Sequence, residues 1–223
     1  MSVFAPDVER SAVGHAITTK TPLRVSEIAL EGGLVGHAVN GTPADSVKLA
    51  VLAILRERPD LVVSGINLGP NTATNIIYSG TVSAATEARI LGIPSIAISI
   101  GAFKEPIWQT AATFSRRLAE QVLARGLPPK VLLNVNVPNL PLAEIKGVRV
   151  TRQGDSAYEE RFDVRSDPHS LPYYMKAGSY RMSDFDEGTD AFALDQGFVS
   201  VTPLCFDLTA YGRLEEFSRW DLS

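Results

Sequence analysis

The chain has one cysteine, Cys205, among its 223 residues, which excludes an internal disulfide framework and suits a reducing compartment, read here as the cytoplasm. Histidine is nearly as scarce. His15, His37 and His169 are scattered, so no His/Cys zinc site is evident. No run of about 18 apolar residues occurs, and nothing therefore reads as a membrane span. The opening, MSVFAPDVERS, lacks the charged-then-apolar layout of a signal peptide. The formal net charge is −4, and Lys and Arg are dispersed with no basic stripe, which argues against a nucleic-acid duplex as partner. There is no G-x-S-x-G elbow, Walker loop or G-x-G-x-x-G, so serine-hydrolase, P-loop and dinucleotide readings have no support.

What remains is an ordinary globular composition, 45% hydrophobic and 21% charged, with enough apolar residues for a core. In the first half, strand and helix signals alternate. SVFAPD reads as a short strand closed by Pro6. GTPADSVKLAVLAILRERPD reads as a helix, capped by Thr42, with Pro43 in its first turn and Asp45 complementing its dipole. Its apolar positions Val47, Ala50, Val51, Ile54 and Leu55 keep helical spacing. DLVVSG and IPSIAISI read as buried strands on either side of a helix, TVSAATEARILG, that ends at Gly92. A further helix, IWQTAATFSRRLAEQVLARG, sets Trp108, Ala111, Ala112, Leu118 and Val122 along one side, and the strand KVLLNVNVP follows. Apolar strands separated by such helices predict a doubly wound, mostly parallel α/β sheet.

The texture changes after Lys146. GVRVTRQ and GFVSVTPL are strand-like, but the intervening stretch is rich in Asp, Ser, Pro and Tyr without helical period. Residues 1–146 thus read as a Rossmann-like α/β core. Residues 147–223 read as an extended hairpin and oligomerisation region, or from Gly147 to about Thr189 as a loosely ordered loop, with a final core strand and a short helix around Arg213 to Trp220. Tyr158, Phe162, Tyr173, Tyr174 and Tyr180 interleave with polar residues there, a composition common at interfaces.

Chemistry is expected in the polar loops, because ligands of open α/β sheets bind outside the carboxyl ends of the strands. Ser79, Gly80 and Thr81 open a helix, either as a simple cap or as an anion site built from free N–H groups. Asn67 and Asn71 offer carbonyl oxygens that suit Mg²⁺ or Mn²⁺, or else brace the loop through turn hydrogen bonds. Ser11 either caps a turn or supplies a hydroxyl to the same place. His15, after Gly14, is a candidate acid or base, or a structural loop histidine.

Taken together, APDVERSAVGHAIT, NGTPADSVKLA, PDLVVSGINLGPN, YSGTVSAATEA and GIPSIAIS resemble the SurE family, the stationary-phase survival 5′/3′-nucleotidases. The blocks stand in the family's order, and VTRQ and GFVSVTPL carry the likeness through the C-terminal part. The resemblance implies a divalent-metal-dependent phosphomonoesterase acting on nucleoside 5′- and 3′-monophosphates as a homodimer or homotetramer. It implies metal ligation by Ser11 and Asn67, and a phosphate site lined by the segments holding Asn71, Ser79, Gly80 and Thr81. Ser46 stands where the family usually has Cys.

The family also opens with a strand ending in Asn-Asp-Asp-Gly, whose aspartates complete the metal site, followed by a helix. That βα unit and any Asp-Asp pair are missing from this sequence. The expectation is therefore a truncated nucleotidase nearly inactive as it stands. The alternatives are a catalytically impaired oligomeric binding protein, or a metal held by Asp7 or Asp45.

Overall fold

The computed structural model describes residues 1–155, 157–181 and 183–221, and the side chains of 157–160 and 179–181 lie outside that description. In chain order the elements are β1 (Val3–Pro6), β2 (Val25–Ala29), β3 (Val35–Val39), α1 (Pro43–Leu49), β4 (Val62–Leu68), α2 (Asn75–Tyr78) and α3 (Gly80–Ile90). There follow β5 (Ser95–Ile100), α4 (Trp108–Arg125), β6 (Val131–Val137), β7 (Val148–Val150), β8 (Ala157–Ser166), β9 (Pro172–Arg181), α5 (Asp190–Asp195), β10 (Val199–Cys205) and α6 (Leu214–Phe217).

The central sheet runs β4-β5-β6-β10-β7, with β4, β5 and β6 parallel and β10 antiparallel to β6. Its faces follow from the period of two along each strand. Ile96, Ile98 and Ile100 of β5 and Val135 and Val137 of β6 pack with Ala111, Phe114 and Val122 of α4. Ala97 and Leu132, of opposite parity, pack with Ile76, Val82 and Ala85 on the α2–α3 side. Helices thus cover both faces, and the fold is α/β with a mostly parallel sheet.

Helix boundaries obey their caps. Thr42 and Asp45 form a reciprocal capping box at α1, with Pro43 in its first turn. Past Leu49 the helix widens into a π-helical turn, Ala50–Ile54, closed by Leu55 N–H donating to Ala50 O. The predicted helix is therefore shorter than its apolar pattern. Helix α4 ends at Gly126 as its sequence implies, but its buried line is Thr110, Ala111, Phe114 and Val122. Trp108 and Ala112 face solvent instead.

Three further expectations change. A separate sheet, β1-β3-β2, precedes α1; its second and third strands were not expected, since VSEIA and VGHAV carry no strong apolar alternation. The strand expected to be buried in DLVVSG is instead the edge of the central sheet, where Val63 is 44% exposed. His37, without an evident partner in sequence, stacks on Phe4 with ring centroids 4.4 Å apart.

The stretch after β7 forms one long antiparallel hairpin, β8–β9, whose strands contact each other and little else. Directly opposed residues share a face, so Phe162, Val164 and Tyr174 lie together on one side, and all three are exposed. The side chains of Tyr158 and Tyr180 fall outside the described residues. The C-terminal helix is a single turn, α6, preceded by a 3₁₀ turn at Tyr211–Arg213.

Candidate active site

At the carboxyl ends of β4, β5 and β6 the loops enclose a cavity of about 1490 Å³. The loop after β1 brings Asp7, Glu9 and Ser11; the end of β4 brings Asn67 and the loop after it Asn71; the start of α3 brings Ser79, Gly80 and Thr81. The six residues expected to bind metal or phosphate, Ser11, Asn67, Asn71, Ser79, Gly80 and Thr81, therefore line one cavity. Phe103, beyond β5, and Pro138 to Leu140, beyond β6, complete the wall with part of α5.

The aim of Asn67 depends on an irregularity in β4. The register against β5 shifts between Ser64 and Asn67, with Gly65 at φ +120°. A Cβ on Gly65 would sit 2.3 Å from the Ile98 carbonyl oxygen, so only glycine lets the strand bulge so close to β5. Beyond the bulge, Asn67 Nδ2 donates to Gly69 O at 2.8 Å and its Oδ1 accepts from Thr81 Oγ1 at 3.3 Å. Asn67 thus braces its loop and ties it to the start of α3.

Asn71 is fixed more firmly. Its backbone N–H donates to Asn136 Oδ1 at 2.8 Å, and its carbonyl accepts from Asn134 Nδ2 at 2.8 Å and Asn136 Nδ2 at 3.0 Å. Its side-chain Nδ2 donates to Ser99 Oγ at 2.7 Å. Two residues on, the Ala73 N–H donates at 2.9 Å to Asp190, whose carboxylate also accepts from Gly154 and Ala191. Burial pushes the Asp190 carboxyl above the usual carboxylate range, against the opposing pull of those N–H groups. The Asn134, Asn136 and Asp190 supports were missed from sequence. The asparagines had a signal, two polar residues at period two inside the apolar strand KVLLNVNVP. Asp190 had none.

At α3, Ser79 is the N-cap: its Oγ accepts from Val82 N–H at 3.1 Å. The cap role is present, and it leaves the Gly80 and Thr81 N–H groups at the open end of an 11-residue helix, where an anion is favoured. His15 does not line the cavity. Its Nε2 lies 2.9 Å from buried Glu87, which also accepts from Lys48 Nζ at 2.6 Å. The Glu87 carboxyl is held below its usual value: burial, its largest single influence, pushes it up, but the bonds and charges of Lys48 and His15 together outweigh that.

The cation question turns on donor chemistry. Ser11 and Asn67 both reach the cavity and fit the neutral part of a hard cation's oxygen shell. In this arrangement Ser11 Oγ donates to Glu9. Asp45 is not available as a ligand, because it accepts from Thr18 N–H, Thr18 Oγ1 and Thr42 N–H. Asp7 sits at the cavity lip, 3.8 Å from Arg10. Among the described residues no group of three or more His, Cys, Asp or Glu is placed to hold a metal ion. Among the described residues the donor set for such an ion is partial.

The profile of the family described as "Survival protein SurE" matches residues 1–160. The chain belongs to the SurE family. It is 50% identical over 222 residues to a protein of Syntrophobacter fumaroxidans named "5'-nucleotidase SurE", covering 100% of this chain and 89% of that one. A protein of the same name from Heliobacterium modesticaldum is 50% identical over 219 residues, covering 98% and 80%. The SurE crystal structure from Aquifex aeolicus superposes with a TM-score of 0.80 at 44% identity, over 93% of this chain and 83% of that one. These SurE relatives give no support to a non-catalytic binding protein. Among the described residues no helix is long and apolar enough to cross a membrane.

Proposed function

We propose that this protein is a divalent-metal-dependent phosphomonoesterase that hydrolyses nucleoside 5′-monophosphates, and 3′-monophosphates as well, to nucleoside and phosphate. The observation that carries the reading is the convergence of Ser11, Asn67, Asn71 and Ser79 to Thr81 on one cavity at the carboxyl end of the sheet. The curated relatives' name, 5'-nucleotidase, supports the same chemistry.

In this reading the Gly80 and Thr81 N–H groups bind the phosphoryl oxygens and stabilise the charge that grows on them as water attacks. The Ser99 bond turns the Asn71 amide, leaving its Oδ1 and second amide hydrogen for the ligand. The buried lattice of Asn134, Asn136 and Asp190 keeps the loop from yielding when the anion enters. Ser11 and Asn67 would hold part of a Mg²⁺ or Mn²⁺ ion, which when bound would polarise the phosphoryl group and acidify its water. We place the reaction in the cytoplasm, in keeping with the single, exposed Cys205, and infer a homodimer or homotetramer built through the β8–β9 hairpin.

The test is phosphate release from a nucleoside monophosphate with Mg²⁺ or Mn²⁺. Asn67→Ala should lower the metal-dependent rate by about 100-fold, the upper end of what even an outer-sphere change costs a metal site. Turnover indifferent to the metal or to Asn67 would count against the reading.

A further inference from the structure

We propose that Phe103 is the residue that recognises the base: its ring is a platform on which the nucleobase stacks while the phosphate sits at the start of α3. The inference rests on the nucleotidase reading and names what selects a nucleotide over any other phosphate ester.

Phe103 lines the cavity, yet 75% of it is exposed, the highest value among the aromatic residues with described side chains. An aromatic side chain carries about 150–250 Å² of surface, so leaving it open to water forgoes a large apolar gain. Its position is fixed from below. Gly69 has φ +100°, and a Cβ there would lie 2.6 Å from Phe103 Cε1, so the ring packs on bare backbone. Gly69 is also the residue whose carbonyl accepts from Asn67 and whose N–H donates to Ile100 O at 3.2 Å. One edge of the ring is thus seated on Gly69, between Asn67 at the end of β4 and Asn71, and its exposed surface borders the cavity.

Space and chemistry agree on the occupant. A cavity of about 1490 Å³ far exceeds what a phosphate group fills. It is polar at Ser79 to Thr81 and apolar at Phe103, Pro138, Leu140 and Leu194, a division that matches a phosphate joined through a sugar to a flat aromatic base. Every base presents a π-face, so such a platform favours nucleotides over base-free esters without demanding one particular base.

The experiment measures binding of adenosine monophosphate, ribose 5-phosphate and inorganic phosphate to the full chain in Mg²⁺ by calorimetry. The nucleotide should bind about 10-fold more tightly than ribose 5-phosphate, in line with one base–aromatic stack. Phe103→Ala should erase most of that margin, and Phe103→Trp should keep it. Equal affinity for the two esters in the unaltered protein would overturn the assignment while leaving the phosphate pocket standing. So would a Phe103→Ala variant that loses both esters equally, or a margin that falls with Tyr78→Ala, a change at another aromatic lining the cavity, and not with Phe103→Ala. Binding of none of the three would remove the phosphate reading itself, and the platform with it.

Discussion

Asp190→Ala is expected to lower the melting temperature by about 10 °C and to abolish phosphate binding with it. The carboxylate is wholly buried and accepts from three backbone N–H groups, Ala73 at 2.9 Å, Gly154 at 3.0 Å and Ala191 at 2.8 Å. Each buried N–H left without an acceptor costs about 1–3 kcal/mol, so three cost roughly 3–5 kcal/mol after some relaxation. For a chain of this size 1 kcal/mol moves the midpoint by about 2–4 °C. The damage should be local as well as global. Ala73 sits at φ +51°, a conformation that alanine holds only when its surroundings impose it, and the Asp190 bond is one of those constraints. Asp190→Asn keeps one oxygen acceptor and should fall between the two proteins. Thermal unfolding followed by circular dichroism checks the prediction. A midpoint for Asp190→Ala within about 2 °C of the unaltered protein would show that the carboxylate is not the clamp described.

The second large effect concerns assembly. The unaltered chain is expected to sediment as a dimer or tetramer at tens of micromolar, and a Phe162→Ser, Val164→Ser, Tyr174→Ser variant as a monomer with its core intact. A two-stranded hairpin is marginal in water by itself. Here one of its faces presents Phe162, 61% exposed, Val164 and Tyr174, 65% each, beside one another. Covering that face with a second copy would bury apolar area and steady the hairpin at once. Sedimentation of the unaltered protein as a well-folded monomer at that concentration, ordinary for interfaces of this kind, would contradict the expectation. So would a variant that assembles unchanged.

Both effects bear on what the sequence can reveal. Local rules were sufficient where the physics is local. The Thr42 and Ser79 caps, the stop at Gly126 and the apolar strands β5 and β6 follow from a few neighbouring residues, and the structure places them there. The cavity's polar residues were legible for the same reason, since Asn67 and Asn71 stand at or just past the end of β4 and Ser79 to Thr81 open α3. What escaped depends on partners far along the chain. Asp190 meets Ala73 across 117 positions, and nothing near either residue announces the other. The exposure of Val63 reflects β4's place at the sheet edge, a property of strand order rather than of DLVVSG itself. Strand β2 is exposed along its whole length and β3 fully buries only Gly36 and Val39, so neither VSEIA nor VGHAV sets a strict apolar alternation in sequence. Asn134 and Asn136 do carry a local signal: in a strand buried on both faces, two polar residues at i and i+2 have to be bonded to something.

Amide hydrogen exchange tests directly, without relying on turnover, whether the start of α3 and the Asn71 loop act as a phosphate cradle. The Gly80 and Thr81 N–H groups lie at the open end of the helix, where exchange should be fast in the free protein. Inorganic phosphate or a nucleoside monophosphate at millimolar concentration should slow these two amides by about 10-fold or more as they close on phosphoryl oxygens, with smaller changes around Asn71, whose N–H is already held by Asn136. Exchange at Gly80 and Thr81 that does not change on adding either ligand would contradict the phosphate site, and with it the proposed function.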